Sequence, residues 1–224
     1  MTWDERFILC STGALDLDSL PKSAAIIGGG YIGLELGCAL AKLGTKITVV
    51  EGLDNILAIM DRELCRPLEI WLKKHGVVVH TNALARGAVI KGKGASRKVE
   101  LTFEKDGGKH TVKVDRVLVT VGRKPNTKGW GLENTGVRMD AAGRFIRIDR
   151  QCRTSVPGVY AIGDVAGEPM LAHKASAEGE MVAEIIAGHK REFDKVAIPA
   201  IVFTEPEIIS VGLTPDEEIG RAHV

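Results

Sequence analysis

The chain has 224 residues, 45% of them hydrophobic and 26% charged, which is globular composition and excludes both a disordered chain and a single small stapled module. Its 30 Lys and Arg balance 29 Asp and Glu, so whole-chain charge gives no reason to expect nucleic acid or an anionic membrane as partner. The longest unbroken apolar stretch, residues 56–60, falls far short of the roughly 18 residues of a membrane span, and Asp4, Glu5 and Arg6 precede only a short apolar patch, so neither a spanning helix nor a secretory signal is expected. Cys10, Cys38, Cys65 and Cys152 lie far apart and form no redox or zinc motif. Free thiols in a reducing, cytoplasmic compartment are the expectation.

In chain order, Ala24-Ala25-Ile26-Ile27 is a short apolar run that ends in three glycines, and helical periodicity follows over residues 31–43 until Gly44 stops it. Residues 47–50 read as a second buried strand and residues 61–74 as a second helix ended by Gly76, with Pro67 placed to bend it. Val77-Val78-Val79 then continues a β-α-β-α-β pattern. From residue 88 to 121 the character changes to short alternating stretches, such as 99–103 and 111–114, punctuated by Asp106-Gly107-Gly108, which predicts antiparallel hairpins. Residues 115–121 read as a buried strand returning to the parallel sheet. The pattern predicts one α/β unit over residues 1–145, a Rossmann-like domain with a β-meander insert. Beyond it, strands are expected at 145–148 and 158–162, a helix at 172–187, and the start of a third element, cut off before it can pair, at 199–212. This second block is too small to bury a sheet of its own comfortably.

The chemistry sits first in Gly28-Gly29-Gly30-Tyr31-Ile32-Gly33, a G-x-G-x-x-G that follows a strand, opens a helix and is answered by Glu51 at the end of the next strand. Gly28 permits a tight turn, Gly30 lets the backbone approach a pyrophosphate, and Gly33 lets helix and strand pack closely, leaving the helix N-terminus to hold the phosphates. Glu51 would accept hydrogen bonds from adenosine ribose hydroxyls and repel a 2′-phosphate, which favours NAD over NADP. The competing reading is a glycine-rich turn without a ligand. Glu35, two residues past Gly33, is placed either toward the nicotinamide or as a solvated helix glutamate. Asp164, at the end of a strand in Gly163-Asp164, is read equally as a polyol-binding carboxylate or as part of a strand-ending turn, ahead of Met170-Leu171-Ala172-His173 at a helix start. Cys38 and Cys65 are read as core or surface thiols. His75, His80, His110, His189 and His223 lack ligand spacing and are read as surface residues, and no metal site is expected.

The residues resemble the flavin-dependent pyridine nucleotide-disulfide oxidoreductases, and within them the branch that oxidises dihydrolipoamide. The resemblance rests on Ser11-Thr12-Gly13-Ala14-Leu15, the block from Gly28 through Leu34 to Glu35, Val121-Gly122-Arg123-Lys124-Pro125-Asn126, residues 161–180, and Phe203-Thr204-Glu205-Pro206-Glu207. It implies that Gly28, Gly29, Gly30, Tyr31, Ile32, Gly33, Leu34, Glu35 and Glu51 contact NAD, that Leu84 packs beside the adenine, and that Gly122 lies along the cofactor path. It implies further that Asp164 binds the ribityl chain of FAD and that Met170, Leu171, Ala172 and His173 line the flavin ring. Members of the family add an FAD-binding G-x-G-x-x-G, a Cys-x-x-x-x-Cys redox pair and a dimerisation domain with a His-Glu base. None of these is in the 224 residues, so no catalytic residue is assigned and the chain by itself is expected not to turn over.

The resemblance therefore divides the chain into an NAD-binding domain at 1–145, the C-terminal part of an FAD-binding domain at 146–194, the start of a dimerisation domain at 195–217, and residues 218–224, which leave the family pattern and are expected to be a non-native tail. The implied partners of the whole enzyme are dihydrolipoamide on a lipoyl carrier domain of a 2-oxoacid dehydrogenase complex and a second copy of itself. The alternatives are a stand-alone NAD-binding module and another flavin disulfide reductase of the mercuric or glutathione type. Glu51 argues against the NADP users, and Met170-Leu171-Ala172-His173 favours the lipoamide branch.

Overall fold

A computed structural model describes residues 3–193 and 197–213. They fall into two compact units: residues 3–122 with Ile201–Ser210, and the described residues of 123–200 with 211–213. Residues 123–145, grouped on sequence with the first α/β unit, pack within the second. The tail expected at 218–224 lies outside the described residues.

The first unit is built on a parallel sheet. Its strands and helices alternate as β1 (Ile8–Leu9), α1 (Ser11–Leu15), β2 (Ser23–Ile27), α2 (Tyr31–Lys42), β3 (Lys46–Val50), α3 (Arg62–Lys74) and β4 (Val78–His80), and after the antiparallel strands β5 (Leu84–Lys91), β6 (Lys98–Lys105) and β7 (Gly108–Val114) the chain returns as β8 (Arg116–Val119). The sheet order is β1-β8-β2-β3-β4, with Ile26 level with both Val49 and Leu118. After Ser23 the central strand β2 is apolar, because both of its faces are covered. Ala24 and Ile26 point to the side of α2 and α3, among Leu34, Leu68, Leu72 and Val49. Ala25 and Ile27 point the other way, among Val99, Leu101 and Phe103 of the meander. The three-stranded β5-β6-β7 sheet thus takes the place of a helical layer on the second face.

Local signals set the element ends. Asp61 caps α3 by accepting from the Glu63 amide at 2.7 Å, Glu63 and Lys73-Lys74 complement the helix dipole, and Pro67 lies inside the continuous helix. In the β6–β7 hairpin Lys105 faces Gly108, and the two linking residues, Asp106 and Gly107, have φ of 52° and 73°, the left-handed pair that a type I′ turn requires.

The second unit holds α4 (Ala172–Ile186) and a small core of Leu132, Ile146, Ala161 and Ala166. The strands expected at 145–148 and 158–162 are reduced to single bridges, Met139 with Ile146 and Arg153 with Tyr160. A longer strand needs an in-register neighbour along its length, and the described residues supply only these contacts. The segment expected to end unpaired forms β9 (Ala200–Val202) and β10 (Ile208–Ser210), which pair with each other, and Val202 and Ile208 are buried in the core of the first unit. Among the described residues no helix is long and apolar enough to cross a membrane.

Candidate functional site

The glycine-rich loop joins β2 to α2, and its three motif glycines differ physically. Gly28 has φ of +103°, and a Cβ there would lie 2.8 Å from the Thr120 carbonyl oxygen. A Cβ on Gly33 would lie 2.3 Å from the Gly28 carbonyl oxygen and 2.6 Å from Thr120 Oγ1. Both positions are glycine because the protein packs against itself there. Gly30 is different: its φ of −77° suits any residue, and a Cβ would meet nothing within 4 Å. It is the N-cap of α2 and makes no side-chain cap, so the first turn of this helix presents uncapped amides beside open space. Tyr31 packs at the margin of the core, and Leu34 is fully buried within it.

Glu51 follows β3 and turns its carboxylate to the loop. Oε2 accepts from the Gly29 amide at 2.5 Å and Oε1 from the Leu53 amide at 2.8 Å. The Glu51 main chain is held as well, its N–H donating to His80 and its C=O accepting from Ala83. Leu84, at the start of β5, is half-exposed and lies 3.9 Å from where a Gly52 Cβ would be, so it flanks the residue after Glu51. Gly122 has φ of +111° beyond the end of β8. The loop, Glu51 and Leu84 therefore gather at the carboxyl ends of β2 and β3, the edge where open α/β sheets place ligands. Glu35 lies along the same helix, with Oε1 accepting from the Phe203 amide at 2.9 Å.

In the second unit Asp164 sits in a 3-10 turn over Gly163–Ala166, and its Oδ2 pairs with Arg123 Nη2 at 3.0 Å. Met170 and Leu171 are partly buried, and Ala172 and His173 are exposed at the start of α4, whose N-cap, Leu171, makes no side-chain cap. His173 Nε2 lies 2.8 Å from the Pro199 carbonyl oxygen.

Four residues escape a reading by motif. Thr120 Oγ1 lies 3.0 and 3.1 Å from the carbonyl oxygens of Ile27 and Gly28, sharing its proton between them and fixing the loop to β8. Arg123 stands in a quoted motif, yet nothing local to it points to Asp164. Lys174 and Glu178 are buried charged groups whose spacing on a helix was the available signal. Burial pushes the Cys38 and Cys65 thiols up, as for packed core cysteines. Of the histidines, His80 lies 4.9 Å from the Phe103 ring and is half-buried, and this burial, with Lys105 and His110 nearby, lowers its pKa; His223 lies outside the described residues. Among the described residues no group of His, Cys, Asp and Glu is placed to hold a metal ion.

The family model described as pyridine nucleotide-disulphide oxidoreductase matches residues 3–179. The chain belongs to this family. Among curated oxidoreductases, the dihydrolipoyl dehydrogenase of Geobacillus stearothermophilus is 53% identical over 205 residues, covering 92% of this chain and 43% of that protein. The dihydrolipoyl dehydrogenase of Bacillus subtilis is 50% identical over 213 residues, covering 95% and 44%. Among solved structures, LpdA from Mycobacterium tuberculosis matches with a TM-score of 0.81 at 34% identity, over 99% of this chain and 46% of that one. The HOCl-induced flavoprotein disulfide reductase RclA from Escherichia coli matches with a TM-score of 0.84 at 27% identity, over 98% and 48%. The chain thus spans less than half the length of these pyridine nucleotide-disulphide oxidoreductases, and its α/β fold with a parallel sheet is theirs over that span.

Proposed function

We infer that the chain is the NAD-binding domain and part of the FAD-binding domain of a dihydrolipoyl dehydrogenase. The observation that carries this reading is the open space over Gly30 at an uncapped helix start, next to a carboxylate tied to the same loop. The fold has no packing reason for glycine at that position, whereas a diphosphate against the α2 amides would need one. Those amides would hold the diphosphate, the remaining lone pairs of Glu51 would accept from the adenosine ribose hydroxyls, and Leu84 would cover the adenine. Gly122 would lie along the same path, with Tyr31 and Glu35 toward the nicotinamide end. Asp164 would accept from the ribityl hydroxyls, with Met170, Leu171, Ala172 and His173 along the flavin. When bound, FAD and NAD supply the hydride chemistry, and the residues named supply position.

The reading extends to the whole enzyme as a cytoplasmic homodimer that oxidises dihydrolipoamide on a lipoyl carrier domain of a 2-oxoacid dehydrogenase complex, without a nucleic-acid or membrane partner. It is supported by the identity to dihydrolipoyl dehydrogenases. The disulfide and the base belong to residues beyond these 224, so the chain alone is expected to show no lipoamide turnover.

Calorimetry with the 224-residue chain tests the cofactor assignment. NADH should bind with a dissociation constant at least about tenfold below that of NADPH, since an uncompensated carboxylate beside a phosphate costs on the order of 1–3 kcal/mol. Glu51→Ala should weaken NADH and narrow that ratio. Absence of heat with NADH, or equal affinity for both nucleotides in the unsubstituted chain, would end the assignment.

A further inference from the structure

Lys174 and Glu178 lie one helical turn apart on α4 with both side chains completely buried and 3.7 Å between Nζ and Oε1. Burying two charges is costly, and an ion pair alone rarely recovers the cost. Here each charge has a second, main-chain partner. Glu178 Oε2 accepts from the Gly163 amide at 2.7 Å, and Lys174 Nζ donates to the Gly167 carbonyl oxygen at 2.7 Å. Gly163 and Gly167 bracket the 3-10 turn that carries Asp164. The turn also lies close against the helix, because a Cβ on Gly163, at φ of +71°, would stand 3.0 Å from the Ala175 Cβ. On its outer side Asp164 meets Arg123.

We propose that Lys174 and Glu178 are a positioning pair that clamps both ends of the Gly163–Ala166 turn onto α4 and so fixes where the Asp164 carboxylate stands. The charges are there for geometry: an ammonium and a carboxylate grip one carbonyl and one amide at the two ends of the turn. The consequence for flavin binding rests on the role of Asp164 proposed above, whereas the clamp itself does not.

The test is amide hydrogen exchange on the 224-residue chain, read together with its urea midpoint. Apolar replacement of a buried pair commonly leaves stability intact, so the double variant Lys174→Met with Glu178→Leu should keep its midpoint. Exchange at residues 163–167 should nevertheless accelerate about tenfold or more, the scale of one lost charge-assisted hydrogen bond. Glu178→Gln, which still accepts from the Gly163 amide, should restore much of the protection at Gly163. Unaltered exchange at 163–167 in the double variant overturns the proposal. If that variant does not fold, the uncharged pair Lys174→Met with Glu178→Gln decides on the same readout, with faster exchange around Gly167 expected while Gly163 keeps much of its protection. The readout is exchange at residues 163–167 and needs no flavin, so failure of the role proposed above for Asp164 would leave this result to judge the clamp by itself.

Discussion

Gly30 and Gly33 lie within one turn of backbone, and substitution should separate their roles. Gly30→Ser places a favoured N-cap residue where the backbone already suits it and no protein atom lies within 4 Å. The unfolding midpoint should hold or rise slightly while NADH affinity drops about tenfold, the scale of one lost or blocked contact. Gly33→Ala forces a Cβ against the Gly28 carbonyl oxygen and should cost about 1–3 kcal/mol in urea unfolding. A second residue with a legible physical role is Asp115. Burial acts to raise its pKa, but Lys98, with which it forms an ion pair, and the amide and hydroxyl of Ser23, both at 2.9 Å, bring it below the ordinary carboxylate value. A carboxylate depressed in the fold stabilises it fully above about pH 5, beyond the unfolded value, and ceases to do so as pH falls through the folded value. Asp115→Asn should therefore cost about 1–3 kcal/mol at pH 7. Between about pH 5 and pH 2 its stability should also decline less steeply than that of the unsubstituted chain, as urea midpoints across that interval would record.

At the scale of elements, α3 carries the clearest conflict between propensity and fold. Pro67 is exposed inside the helix, where it removes one amide donor and crowds the carbonyl of Glu63. The helix persists because Cys65, Leu68 and Leu72 are buried against the sheet. Pro67→Ala should raise the thermal midpoint, by about 1–3 kcal/mol in free energy. Helices α2 and α3 and strands β2, β3, β4 and β8 were legible because their apolar runs are dictated by two covered faces and their ends by Gly44, Asp61 and Gly76, whereas β1 and α1, of two and five residues, are too short to show a period. The β6–β7 hairpin was legible from the alternating stretches at 99–103 and 111–114 and the Asp106-Gly107-Gly108 between them. β5 was legible only in part, since its half-exposed residues include Leu84 and Gly87 and alternate weakly. The bridges at Ile146 and Tyr160 were read as strands because apolar alternation reports a buried face but says nothing of whether a partner runs alongside.

At the scale of the molecule, residues 201–210 are far in sequence from the unit they complete. Val202 and Ile208 are buried with Leu34 and Cys38, and Lys42 pairs with Glu205. Ile208→Ala should cost the first unit about 2–5 kcal/mol, seen as a lower urea midpoint of its NADH-protected transition. A milder loss would mean that the short β9–β10 sheet contributes little to that core.

The glycine motif, its answering acid at Glu51 and the alternation of helix and strand were determined by sequence alone, because each is a local demand of backbone geometry and periodicity. The pairing of Glu35 with the Phe203 amide, of Arg123 with Asp164, and of Lys174 and Glu178 with the two ends of one turn was decided only by the tertiary structure. Hydrogen bonds between distant residues depend on where the chain returns in space, and burial alone makes a charged side chain seek a main-chain partner.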